Sequence, residues 1–252
     1  MAYPEFAEPG ITPFFDEMMY EGILGFDIFA FHMSMNPDEE ESEVMFGDFN
    51  PEKIDHRRNN GEIEWHDVEH KLFWSINLED VKIKGKSLGM CSEEDPCLFT
   101  PDTGTSLLTM PSWAAHKFKE DHPEWGVETG CDSEFTYGDL TYVINGIEYP
   151  IPSHHWMERT IDDSVAEGGT CKHKIGTLDV GQQGLDKLFI GGDSFMQIYY
   201  SIFDRANDAV GFTLAKHTAP EIVNHYDSNG YYHDTLEVTE ECYTEPSVCY
   251  DD

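Results

Sequence analysis

The sequence predicts a mainly β fold with short helices, and three observations carry that expectation. Apolar residues recur at alternate positions or in short runs, an Asn-Gly pair divides one such stretch, and the segments of helical character are brief. In chain order, a helix is expected near Pro13. Ile63 and Trp65 alternate with polar neighbours, and Phe73-Trp74-Ser75-Ile76-Asn77-Leu78 reads as a partly buried strand. Val81-Lys82-Ile83 followed by Gly85 reads as strand and turn. Ser112, after Pro111, is placed to cap a helix from Trp113 to Lys119. Tyr142-Val143-Ile144 and Ile147-Glu148-Tyr149 flank Asn145-Gly146, which suits the positive φ values of a type I′ hairpin turn. A short helix is expected from about Ser194 to Tyr200, and no internal repeat is detectable.

Composition bounds the function. At 252 residues the chain is one large domain or two small ones. Fifty acidic against fifteen basic residues leave a formal charge of −35 and a pI near 4.4. Ordinary nucleic-acid binding needs a basic face and is excluded, and docking on anionic membranes is disfavoured. No apolar run approaches the roughly 18 residues of a membrane span; the best, Ile23-Leu24-Gly25-Phe26, breaks at Asp27. With 39% hydrophobic and 13% aromatic residues the chain can still fill a core. As pH falls toward about 4, carboxylates protonate and histidines charge, so self-repulsion should drop and neutral pH should strain the fold more than acid.

Six cysteines stand at positions 91, 97, 131, 171, 242 and 249. The even count and two short pairs point to disulfides and an oxidising compartment, with reduced thiols or a metal site as alternatives. No C-x-x-C occurs, and the spacings fit no common zinc pattern. Met1-Ala2-Tyr3-Pro4 lacks the basic start and apolar stretch of a secretory signal, so the expected signal lies upstream.

Two segments read as excursions. The charge run Pro37 to Glu43 is expected to stay solvated between strands, calcium binding being its alternative. After Leu214 the tail to Asp252 carries nine acidic residues and one lysine, Lys216. Cys242 and Cys249 are close enough in sequence to close a small loop there. This extension is read as a partner-binding element or as solvated slack.

Among chemical motifs, His66-Asp67-Val68-Glu69-His70 matches the H-x-x-E-H of some zinc peptidases. That chemistry needs both histidines on one helical face, whereas strand-like residues surround them. On a strand the two would lie about 13 Å apart, too far to share one ion. His154-His155 reads as a loop pair. No serine elbow, phosphate loop or dinucleotide fingerprint is present, and no cofactor or metal is expected.

Asp102-Thr103-Gly104-Thr105-Ser106 stands apart because of its surroundings. Cys91 and Cys97 precede it, Leu107-Leu108-Thr109-Met110-Pro111 follows, and Ile190-Gly191-Gly192-Asp193-Ser194-Phe195 comes later. That segment leads into Tyr199-Tyr200-Ser201-Ile202-Phe203-Asp204-Arg205-Ala206-Asn207 and Val210-Gly211-Phe212. With Thr12-Pro13-Phe14-Phe15-Asp16 and Gly22-Ile23-Leu24, these motifs resemble the pepsin and cathepsin D family of aspartic proteases (peptidase A1), specifically its C-terminal lobe, over roughly residues 1 to 214.

The resemblance implies a bilobal acid protease fold. Residues 1–30 would form the end of the N-terminal lobe and the interlobe connection, 31–214 the C-terminal lobe, and 215–252 an acidic extension. It implies an aspartic endopeptidase acting on peptide or protein substrates, in a lysosome or vacuole or outside the cell. Asp102 would be one of two catalytic aspartates that share a proton and activate water. Gly104 would let the backbone approach the carboxylate and Thr105 would hydrogen-bond it, within the loop completed by Ser106. Thr103 would reach across to its counterpart, and Ile190-Gly191-Gly192 would thread beside the loop. Cys91–Cys97 and Cys131–Cys171 would be the lobe's disulfides. Cys242–Cys249 lies outside the resemblance and is paired by proximity alone.

The chain holds one Asp-Thr-Gly and no second Asp-Thr/Ser-Gly, so the mate must come from an N-terminal lobe missing from this chain, and the chain alone should be inert. Thr100-Pro101 stands where two apolar residues are usual, and Gly191 where a bulky one is. The alternative is an inactive homologue serving as a structural or interaction subunit, its acidic tail holding a protein partner.

Overall fold

The structure, a computed structural model, describes residues 2–38, 40–122, 129–131, 137–160, 169–181 and 184–217. At its centre lies a six-stranded sheet. Across it run Ile175–Thr177, Leu108–Met110, Leu188–Gly191, Cys97–Pro101, Trp74–Leu78 and His70–Lys71. Leu188–Gly191 is parallel to Cys97–Pro101 and antiparallel to Leu108–Met110. It is buried along its whole length, which is why it reads as an apolar run rather than an alternation.

A five-stranded sheet runs Glu43–Phe46, Ile28–His32, Tyr199–Asp204, Ala209–Leu214 and Glu64–Asp67. The Asp204 carboxylate accepts the backbone N–H and Nδ2 of Asn207 at 2.9 and 2.7 Å, closing the turn between its two central strands. Arg205 lies 4.5 Å over the Tyr3 ring and pairs with Asp16 and Asp208. The Phe-Asp-Arg-Ala-Asn stretch thus fastens the N-terminal strip, and Tyr3, Phe15 and Phe29 join the main core.

A four-stranded sheet contains the expected hairpin, Leu140–Ile144 against Ile147–Ile151, with Asn145 and Gly146 at φ of 49° and 73°. Thr129–Cys131, Gly169–His173 and Met157–Thr160 form a further sheet. Among the described residues no helix is long and apolar enough to cross a membrane.

The helices Phe14–Tyr20 and Asp193–Met196 fall near their expected places, the second ending early because Tyr199 already belongs to a strand. Ser112 is the first residue of the helix Ser112–Asp121, not its cap. The free N–H and hydroxyl of Ser112 instead donate to Asp179, at 2.9 and 2.5 Å, so the cap comes from a distant carboxylate. His154 and His155 lie in a short helix, Ser153–Trp156, rather than a loop. The run from Pro37 is not wholly solvated: Glu40 is buried, accepting the Met35 N–H at 2.8 Å and facing His217.

A disulfide joins Cys91 and Cys97, with Cα atoms 5.5 Å apart. Cys171 is disulfide-bonded as well, but the side chain of Cys131, its expected partner, lies outside the described residues. So do Cys242, Cys249 and the tail from 218 onward.

Both departures beside the Asp102 loop have a packing explanation. A Cβ at Gly191 would stand 2.4 Å from Cζ of Phe99 and 3.1 Å from Cβ of Phe195, so the Phe99 ring fills the space a larger residue would take. Pro101 ends its strand. The ladder to Trp74–Leu78 stops at Phe99, and the first N–H after Pro101, that of Asp102, bonds Gly191 O at 3.0 Å. A missing donor is tolerated there.

His66 and His70 sit on separate strands. His66 is spent on Tyr149, its Nε2 lying 2.7 Å from the hydroxyl, and burial lowers its pKa to about 4.

Two predictions follow from this packing. Gly191→Ala should cost about 1–3 kcal/mol and Phe99→Ala about 3–5 kcal/mol, while the double variant recovers about 1 kcal/mol of their sum in urea unfolding; strict additivity would break the link between them. The unfolded chain takes up a proton at His66 below pH ~6.5 that the folded one refuses until about 4, so stability is lost as pH falls through that window. The unfolding free energy of His66→Gln should therefore move in the variant's favour, relative to the parent, by about 3 kcal/mol between pH 7 and pH 4.

Candidate active site

The turn from Asp102 to Leu107 joins two strands, Cys97–Pro101 and Leu108–Met110, that are not neighbours. Leu188–Gly191 is inserted between them, so the turn arches over the end of that strand. Three backbone bonds tie the arch to the chain beneath it. Asp102 N–H reaches Gly191 O at 3.0 Å, Asp193 N–H reaches Thr105 O at 2.8 Å, and Ser194 N–H reaches Ser106 O at 3.4 Å. Gly192 passes under the arch: a Cβ there would stand 2.0 Å from Thr105 O and 2.5 Å from Leu107 O, so no larger residue fits. Ile190 anchors the strand in an apolar cluster with Leu72, Leu185 and Leu188.

Each oxygen of the Asp102 carboxylate has its own donor. The Gly104 N–H lies 3.0 Å from Oδ1 and the Thr105 hydroxyl 2.7 Å from Oδ2. Asp102 is half-buried, whereas Thr103, Gly104 and Ser106 are exposed on the outer side of the arch. Beside Asp102 and Thr103 a pocket of about 70 Å³ opens, walled by Phe29, Phe31, Phe73, Trp74 and Phe203. Behind the arch the pKa of Asp193 is raised by burial and further by the Asp102 charge, against a hydrogen bond from Ser106. A carboxylate oriented by two donors and open on one side can accept a proton from water. Donating a proton to the same substrate needs a second acid.

The structure therefore brings Asp102, Thr103, Gly104, Thr105, Ser106, Ile190, Gly191 and Gly192 into one constellation, with the Cys91–Cys97 bridge at the far end of the strand that leads into it. Sequence reasoning missed the aromatic walls of the pocket and the role of Phe99. Phe29-Ala30-Phe31 offered a signal, since alternation places both rings on one face. For Phe99 there was none, because its partner is 92 positions away.

Comparison with known proteins extends this picture. The eukaryotic aspartyl protease family model matches residues 1–215. The chain is similar to gastricsin of Callithrix jacchus, 33% identical over 220 residues, which cover 85% of this chain and 53% of that protein. Pepsin A of Bos taurus is 31% identical, over 84% of this chain and 54% of its own length. Cathepsin E of Cavia porcellus is 31% identical, over 85% and 53%. The chain spans about half the length of the curated relatives it matches. With that match and the Asp102 loop in place, this chain belongs to the eukaryotic aspartyl protease family.

Proposed function

We propose that this chain supplies one of the two catalytic aspartates, Asp102, of an aspartic endopeptidase, and that an N-terminal lobe outside residues 1–252 presents the other. The observation that carries this reading is the Asp102 carboxylate, each oxygen held by its own donor, Gly104 or Thr105, and only partly buried. Two carboxylates that close cannot both ionise, so they share a proton. The ionised member takes a proton from a bound water while the protonated one polarises the peptide carbonyl. Water then adds without a covalent enzyme intermediate. Thr103, exposed at the crest, would bond the opposite loop, and Ser106 would brace the arch from below through Ser194.

Residues 1–30 would be the last strip of the missing lobe with its connection, 31–214 the second lobe, and 215–252 an extension. Phe6, Ile11, Phe14, Tyr20, Ile23 and Phe26 are all more than half exposed, a concentration of apolar surface in the strip a second lobe would cover. The substrates would be peptides or proteins. The Cys91–Cys97 disulfide fits an oxidising compartment, with a lysosome, vacuole or extracellular setting as the finer reading. Against a purely structural subunit stands the accommodation of Pro101 and Gly191 with both Asp102 oxygens still held.

In the complete polypeptide that carries this chain, casein cleavage at about pH 4 should be blocked by a statine-type inhibitor and fall on the order of 10³-fold or more in Asp102→Asn. The 252-residue chain alone should cleave nothing. Cleavage that survives Asp102→Asn removes Asp102 from the mechanism, and a folded complete polypeptide without activity favours the subunit reading.

A further inference from the structure

The five-stranded sheet gathers a second group of chemically capable side chains, far apart in sequence. His32 ends the strand Ile28–His32, Glu40 lies in the connection to Glu43–Phe46, and His217 follows the strand Ala209–Leu214. All three are buried, and one potential ligand atom from each lies within 4.8 Å of the other two.

Their hydrogen bonds sort the ring nitrogens. Nε2 of His32 lies 2.9 Å from Lys216 O, and Nε2 of His217 lies 2.6 Å from Gln197 O. A carbonyl only accepts, so both Nε2 atoms carry protons, and a neutral ring then keeps its lone pair on Nδ1. One ring N–H fixed by a backbone carbonyl, with the other nitrogen available to a ligand, is how metal-binding histidines are oriented. Nδ1 of His217 faces Glu40 Oε1 at 2.5 Å, while Nδ1 of His32 is buried without a partner.

Glu40 Oε1 already accepts the Met35 N–H at 2.8 Å, so the unmet demand in this group is the buried Nδ1 of His32. A proton serves His217 and Glu40 but leaves Nδ1 of His32 unsatisfied, at a cost of about 1–3 kcal/mol. A metal ion would satisfy all three. We propose that His32, Glu40 and His217 form a Zn²⁺ site of the two-histidine, one-carboxylate type, completed by a water. A cleft of about 560 Å³ bordered by Glu40, His217, Lys53 and His56 admits that water. Sharing a tetrahedral ion at roughly 2.0–2.1 Å requires ligand atoms about 3.3 Å apart. The His217–Glu40 contact at 2.5 Å must then open by about 0.8 Å. Any contact of the trio longer than about 3.3 Å, up to the 4.8 Å that bounds them, must close, with Glu40 moving against its bond from the Met35 N–H. The ion would tie residues 215–217, where the chain leaves the sheet, to its first strand and the connection after it. The H-x-x-E-H stretch, the sequence's own zinc pattern, contributes none of these ligands.

The test uses the full 252-residue chain, stripped with chelator and titrated with Co²⁺ at pH 7 in excess Mg²⁺, which occupies the many surface carboxylates. The expected result is one Co²⁺ per chain with the intense visible bands of a four-coordinate ion, displaced by Zn²⁺. Glu40→Gln and His32→Phe should each lower Co²⁺ affinity about 100-fold or more. Should either variant unfold, X-ray absorption on the unsubstituted zinc-loaded chain decides, with two imidazoles in a four-coordinate shell expected. An all-oxygen shell, bands that persist in folded variants, or no saturable binding would overturn the proposal.

Discussion

One constraint organises this molecule: the chain must pass beneath its own arch. Leu188–Gly191 lies between two strands that the Asp102 turn connects, and the chain can leave that position only under the turn, where Gly192 alone fits. Position and chemistry are thereby linked. The bonds that hold the arch down, from Asp102 N–H to Gly191 O and from Asp193 N–H to Thr105 O, are backbone bonds that join the turn to the end of a buried strand and to the residue after Gly192. With Gly104 N–H and Thr105 Oγ1 on its two oxygens, the carboxylate keeps little side-chain freedom. Phe99 extends the same logic into the core: its ring occupies the space beside Gly191 and packs on Phe195, Tyr142 and Phe212.

The charge of the chain acts on a different layer. Thirty-five excess negative charges repel one another at neutral pH, and protonating ordinary carboxylates near pH 4 relieves that repulsion. The interior opposes the relief. His32, His66, His155 and His173 are each held below their usual pKa, chiefly by burial. Each refuses a proton in the folded state that the unfolded chain accepts, so each withdraws stability as pH falls below about 6.5. Composition displays only the first of these effects, because burial decides the second. The response of the folded chain to acid is a balance between its surface and its core.

The same distinction separates what was legible in the sequence from what was not. The Asn145-Gly146 hairpin and the Asp102 loop were legible because their chemistry is local, a positive φ in one and donors two and three residues along in the other. The cap of Ser112–Asp121 was misread because its carboxylate, Asp179, arrives from 67 positions away. Glu40 looked solvated within a run of acids, and only the fold reveals that Met35 and His217 receive it. Pro101 looked disruptive because its place at the end of a ladder is a property of the sheet. Sequence discloses what neighbours do to each other and conceals what packing brings together.

That division explains how the Asp102 loop is so fully oriented by its own neighbours. Everything needed to orient Asp102 is supplied within a few residues or by the strand threaded below, so the carboxylate can be positioned without a second lobe. What one lobe cannot supply is a second acid across the scissile bond. A lone carboxylate here would bind water much as any surface aspartate does, and two donors fix its direction without giving it a proton to share. Coupling to a mate is what would turn orientation into acid–base chemistry, because a shared proton makes one member a base and the other an acid at the same pH. On the proposed reading, the exposed Thr103 and the exposed apolar side chains between residues 6 and 26 are the two features a second lobe would cover.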